Sequence, residues 1–418
     1  MNFIDLKRDF GERFPRARAA WHRIKHLRHR AETLNATVRG EYLPPEYYSE
    51  HLSGFLESAK ASTRPMVVIL STTRPLSTKS RSNRPMTFAR ALQEQGHPVL
   101  YVYWRWRPSE LCEPYDGGSL LQIPIDILRA HFAEIATSGP FEVPPIFVVS
   151  APVKEAAMHI GLLNREGWIT VYEARDDWAE FAVAKQAPWY RFSFEYHIAR
   201  NAQTVVAVSP ALAARLESMG LPAGTVQIVP NGYSRVFRSD LVRDYVSAGR
   251  PEAEPGLVGY FGHLTPAWFD WELILTDART HPERRYQLIG FGAPSDLSLP
   301  PNVSLVDALP QPELVHLARR WSAAIIPFQF GRLAAGVDPI KVYEYLALGL
   351  PTVSVHMQQL GDLPFVWLYR DPAEYVDAIQ EALQTQVEVS QVDSALVGAA
   401  WDERAARFVE VATGARTS

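Results

Sequence analysis

Short, mostly apolar runs recur from residue 65 onward in alternation with helical stretches, and this strand–helix alternation constrains the fold more than any other feature. Met66 to Leu70, Val99 to Trp104, Ile146 to Val149, Trp168 to Tyr172, Thr204 to Val208 and Gln227 to Val229 read as strands. Strands that are apolar throughout are covered on both faces, as in a parallel sheet whose crossovers are helices. One crossover helix ends near Gly96 and another covers about Pro152 to Arg165. Phe237 to Pro255 is polar and mixed in charge, and it reads as an interdomain connection. A second set follows: Leu257 to Phe261, Gln287 to Ile289, Val303 to Val306, Ala323 to Pro327, Thr352 to Val355 and Val366 to Tyr369. Helices begin near Asp270, Gln311, Ile340, Pro372 and Asp402. The predicted fold class is α/β, two Rossmann-like domains with parallel sheets. The boundaries read as a basic helical extension over 1–62, a first domain over 63–236, a connection over 237–256, a second domain over 257–390 and a C-terminal helix over 391–418.

At 418 residues the chain is long enough for two separate cores. A net charge of -4 gives no reason to expect a nucleic-acid partner. The single cysteine, Cys112, excludes an intramolecular disulfide framework and a cysteine zinc cluster, and it suits a reducing cytoplasm. No apolar run approaches the ~20 residues that span a bilayer, and the N-terminus lacks a signal-peptide core.

The most informative stretch for chemistry is Gly336 to Val355, GVDPIKVYEYLALGLPTVSV. Asp338-Pro339 opens a helix, where proline's missing N–H costs nothing. Ile340 to Leu348 is that helix, with Ile340, Tyr343, Leu346 and Ala347 spaced for burial. Gly349 stops it and Pro351 bars continuation before the next strand. Lys341 and Glu344 share a face near the helix N-terminus, which favours an anion. Cation, carboxylate and helix N-terminus together suit a ligand that is half phosphate and half polyol. An exposed Lys–Glu pair on an ordinary αβ unit has the same spacing.

Residues 338–355 resemble the donor-binding segment of GT-B glycosyltransferases, the family 4-like group whose pattern runs P-x-K-x-x-E-Y-x-A-x-G-x-P. The resemblance covers roughly residues 65–415. It implies two facing Rossmann-like domains with a cleft between them, a nucleotide-sugar donor in the second domain and an acceptor in the first. Matched position by position, Lys341 would meet the donor diphosphate and Glu344 the ribose or sugar hydroxyls. Many relatives carry another glutamate eight residues earlier, where this chain has Gly336, and Asp338 is the nearest acid. Gly262 and His263 fall where the family has a G-x-L loop facing the phosphates, and Leu309 where backbone atoms contact the base. No Asp-x-Asp motif stands at a strand end, so the expected charge at the diphosphate comes from Lys341, Arg332 and the helix N-terminus. No metal or other cofactor is expected.

Ligands of open α/β sheets bind outside the carboxyl ends of the strands. In the first domain that rule selects Ser71 to Arg84, Ser150, Asp176-Asp177 and Asn231-Gly232. One of Asp176 and Asp177 can cap the following helix while the other faces the cleft, or both can be a cap and a surface acid. Relatives with D-D-W at this place imply that one, Asp177 in preference, is the acceptor-side base. Pro230-Asn231-Gly232 reads as turn geometry. Arg74, Lys79, Arg81 and Arg84 make the first loop basic, for an acidic acceptor or simply for solvent.

Residues 1–40 hold ten Lys/Arg against four Asp/Glu, a local charge of +6. Ala20, Ile24, Leu27, Ala31 and Leu34 form a narrow apolar stripe, suited either to docking on the protein or to an anionic membrane surface. His22, His26 and His29 lack the carboxylates or cysteines of a metal site. The combined reading is a cytoplasmic, hexosyltransferase-type enzyme, peripheral on the membrane if the basic helix binds lipid. It would act in polysaccharide or glycoconjugate synthesis on a saccharide or lipid-linked saccharide acceptor. A sugar-nucleotide epimerase of the same fold and a silent sugar-nucleotide-binding partner are the alternatives.

Overall fold

A computed structural model describes residues 45–76, 83–104, 118–331, 334 and 336–414. The basic segment 1–40 with its histidines, Lys79, Arg81, Cys112 and Arg332 lie outside the described residues.

The first sheet has seven strands: β1 (Val67–Leu70), β2 (Val99–Tyr103), β3 (Leu120–Pro124), β4 (Ile146–Val149), β5 (Ile169–Ala174), β6 (Thr204–Ala207) and β7 (Gln227–Ile228). Their order is β3-β2-β1-β4-β5-β6-β7. The second sheet has six: β8 (Leu257–His263), β9 (Arg285–Phe291), β10 (Val303–Asp307), β11 (Ala323–Ile326), β12 (Thr352–Val355) and β13 (Val366–Tyr369), ordered β10-β9-β8-β11-β12-β13. All five neighbouring pairs of the second sheet are parallel. Both sheets reverse direction after their first strand, the doubly wound order, with switch points at β1/β4 and β8/β11. Strand β3 was not anticipated: its central Gln122 breaks the apolar run, yet it is buried because its amide bonds the backbone of Leu76.

The chain divides into two compact units, Met1–Phe147 with Glu166–Trp168, and Val148–Arg165 with Ile169–Ser418. The boundary crosses β4, so β5, β6 and β7 fold in one unit with the whole second sheet. Within that unit Phe237 to Pro255 is not bare chain. It forms the helix Asp240–Ser247, whose Val242, Tyr245 and Val246 join the core around β8, β11 and β12. Near the C-terminus, the helix Trp401–Thr413 is anchored beside the Asn231-Gly232 turn. Tyr233 donates to Ala399 O, Trp401 donates to Tyr233 O, and Arg404 Nε donates to Asn231 O.

Candidate functional site

The helix Ile340–Ala347 begins after Pro339 and ends where the sequence places it. Gly349 takes φ +67°, and Gly349 and Leu350 donate back to Leu346 O and Tyr345 O. Val342, Tyr343, Glu344, Tyr345, Leu346 and Ala347 are all buried, so the helix is enclosed on most of its surface. Lys341 and Glu344 are therefore no exposed ion pair. The Lys341 ammonium lies 5.6 Å from the ring centre of Tyr260, in β8, and 5.5 Å from that of Phe328, just past β11. These strands flank the switch point of the second sheet, where such folds bind ligands.

Gly262 makes this slot. Its φ is +140°, a region that side-chain-bearing residues rarely enter. A Cβ there would overlap Lys341 Cε and lie 2.7 Å from Nζ. Desolvation lowers the Lys341 pKa, against the opposing pull of Glu344, and burial pushes Glu344 up to about 8 despite the nearby lysine. Among the described residues neither group has a hydrogen-bond or ion-pair partner. Apart from their mutual attraction and the two rings, the half-buried ammonium and the buried acid have no partner among those residues, and such groups are costly in water-poor surroundings until polar partners arrive.

His263 is exposed at the end of β8, its ring 4.1 Å from that of Phe291, and its carbonyl accepts from the Tyr260 hydroxyl at 2.7 Å. Leu309 is half-buried just after β10. Asp338 is buried, and its carboxylate is engaged within the protein: Oδ2 accepts from Asn231 N at 2.6 Å and Oδ1 from the Tyr343 hydroxyl at 3.0 Å. Arg332 lies outside the described residues.

In the same unit, Asp177 caps the helix Trp178–Val183, its Oδ1 accepting from Ala179 N and Glu180 N at 3.2 Å each. Asp176 pairs with Arg175 at 2.9 Å. The two aspartates thus point apart, as adjacent residues leaving a strand must. Asp177 is the one beside the loop that precedes the Lys341 helix: a Cβ on Gly336 would sit 3.3 Å from Asp177 Cβ and 3.8 Å from Oδ2. The structure accordingly groups Gly262, Lys341 and Glu344 at one place, and Asp177 beside Gly336. Arg84, read as part of a basic loop, is buried with its guanidinium 4.4 Å from the Phe88 ring centre.

Sequence reasoning missed Arg215, Glu195 and Tyr190. Arg215 Nε lies 3.1 Å from Asp177 Oδ1, and its other two nitrogens bond Glu195. No spacing signal marks them, because Glu195 and Arg215 come from separate helices and Tyr190 from the loop before the first of these.

No protein-family model and no curated protein matches the sequence. Solved structures do. A lipopolysaccharide outer core galactosyltransferase, WaaB, in its apo form aligns with a TM-score of 0.60 at 14% identity, covering 84% of this chain and 99% of that one. HepE from Anabaena, in complex with UDP and glucose, aligns at 0.57 and 14%, covering 84% and 100%. Sucrose-phosphate synthase from Thermosynechococcus elongatus aligns at 0.57 and 15%, covering 84% and 99%. This is the GT-B fold. The expectation of two Rossmann-like parallel sheets is met, and at these identities the likeness is one of fold. In GT-B terms the Lys341 slot belongs to the second sheet and Asp177 to the end of β5 in the first. Among the described residues no helix is long and apolar enough to cross a membrane.

Proposed function

We propose that the protein is a glycosyltransferase that moves a hexose from a nucleoside-diphosphate donor to an acceptor hydroxyl. The observation that carries this is the Lys341 slot: an unpartnered, half-buried ammonium at a helix start, against a glycine backbone, with an unpartnered acid one turn on. In this reading Lys341, the helix N-terminus and Arg332 hold the diphosphate, and Glu344 takes a hydroxyl of the ribose or sugar. Gly262 and His263 line the phosphates, Leu309 flanks the base, and Asp338 sets the loop. The acceptor oxygen bonds to the anomeric carbon as the carbon–oxygen bond to the diphosphate breaks. The electron pair leaves with the nucleoside diphosphate, whose charge the lysine stabilises, and the hydroxyl proton passes to Asp177.

HepE was solved with UDP and with UDP-glucose, and WaaB is a galactosyltransferase, which makes UDP-hexoses the first donors to test. The acceptor in this reading is a saccharide or lipid-linked saccharide. Thermal shift with UDP-, GDP- and dTDP-hexoses tests donor binding, since a ligand of the folded state raises Tm by mass action. Nucleotide release with and without saccharide acceptors then tests transfer. A chain whose Tm no sugar nucleotide moves, and which releases no nucleotide, is not this enzyme.

A further inference from the structure

We infer that Arg215 is a positioning residue, which holds Asp177 by Oδ1 so that Oδ2 alone faces the donor-side loop at Gly336. The inference rests on the reading above, in which Asp177 takes the acceptor proton. Glu195 is fully buried on the helix Phe192–Asn201 and accepts from the Tyr172 and Tyr190 hydroxyls at 2.7 Å each. Arg215, on the helix Pro210–Ser218, grips the same carboxylate with both terminal nitrogens, at 3.0 and 2.7 Å. That bidentate fork fixes the guanidinium plane. Its remaining edge, Nε, then lies 3.1 Å from Asp177 Oδ1. Burial pulls the Arg215 pKa down, but the bonds to Glu195 outweigh it and leave the pKa raised, so the charge is permanent.

Oδ1 thus has two backbone N–H donors and a guanidinium, whereas among the described residues nothing donates to Oδ2. Opposite it, position 336 offers no side chain, because the residue is Gly336. That backbone is held in place by Ser209 Oγ, which donates to Gly336 O at 3.1 Å. Orientation from one side and room on the other leave Oδ2 as the carboxylate oxygen open to a hydroxyl.

The test compares the parent, Asp177→Asn, Arg215→Lys, the pair Arg215→Met/Glu195→Gln, and that pair combined with Asp177→Asn. Each is assayed with the UDP-, GDP- or dTDP-hexose that the parent turns over fastest. The pair is used because Arg215→Met alone strands a buried carboxylate and endangers folding. The expected result for the pair is an unchanged donor KM with kcat lower by about 100-fold, the scale of a ~1 Å misplacement. Arg215→Lys should recover only part of the rate, since one ammonium cannot span both carboxylates. Adding the pair to Asp177→Asn should cost nothing further, because Arg215 acts through Asp177. A parental kcat in the pair, or losses that multiply with Asp177→Asn, overturns the inference. If Asp177→Asn itself keeps the parental rate, the reading beneath it has failed instead.

Discussion

Gly262→Ala is the sharpest single probe of the Lys341 slot. The added Cβ would overlap Lys341 Cε and lie 2.7 Å from Nζ, so the ammonium must leave its place between Tyr260 and Phe328. Two effects of different size and readout follow. Backbone strain at φ +140° costs ~1–3 kcal/mol of stability, seen as a fall in Tm of about 2–4 °C for each kcal/mol. Losing a charge-assisted hydrogen bond to a diphosphate costs ~1.5–3 kcal/mol of binding, which is roughly 10- to 150-fold in Kd. Calorimetric titration with UDP and with the preferred sugar nucleotide, well below Tm, separates the two. The decisive arm is Lys341→Met with and without Gly262→Ala. If the alanine acts by displacing the lysine, it adds almost nothing to the affinity loss of Lys341→Met. Parental nucleotide affinity in a folded Gly262→Ala protein, or losses that add in full, would show that the ammonium does not meet the diphosphate here.

Asp177→Asn should bind donor with parental affinity yet transfer about 100- to 10,000-fold more slowly; equal kcat in both proteins would remove the aspartate from the reaction. Nucleotide binding should draw a proton to Lys341, because an incoming diphosphate favours the protonated form of an ammonium whose pKa burial has lowered. Titration in two buffers of different ionisation enthalpy measures it, and net proton release would contradict the assignment. The unliganded protein has its own dependence: the raised Glu344 favours folding fully below its unfolded pKa of ~4.3, and that contribution is lost as pH rises through about 8. Lys341 slopes the other way. Finally, the +6 charge of residues 1–40 predicts weak, salt-sensitive pelleting with anionic vesicles, lost in a chain starting at Glu41; both chains staying in the supernatant at low salt would exclude a membrane role for this segment.

What was legible in the sequence follows from which signals are local. Most strands were, because a strand covered on both faces is apolar at most positions, and the Ile340 helix carries its own start and stop in Pro339 and Gly349. Gln122 and the helix Asp240–Ser247 were not, because their polar residues read as surface until the fold supplies Leu76 or the second core as partner. Lys341 and Glu344 were legible as a pair on one helix face; their burial was not, since it comes from Tyr260 and Phe328 far along the chain. Glu195 and Arg215 show the limit most clearly. Each is an unremarkable charge on a helix, and only the docking of two helices makes them a buried fork beneath Asp177.

The segment 336–338 explains why the donor and acceptor halves of such a site cannot be read separately. Ser209, just past β6, donates to Gly336 O, and Asn231, just past β7, gives both its backbone N–H and its side-chain amide to Asp338. Asp177, just past β5, stands beside Gly336. Two successive strand ends of the first sheet therefore hold the loop that launches the Lys341 helix, and a third stands beside it. Pro230-Asn231-Gly232 is accordingly more than a turn: Asn231 spends its donors on Asp338, and Tyr343 takes the remaining oxygen of that carboxylate. An acid so occupied has no oxygen left without a protein donor, although it is the acid nearest to Gly336 in the sequence. Asp177 has one. Under the proposed function, the carboxylate available to the reacting sugars at this loop thus comes from β5, across the chain from the helix that holds the diphosphate.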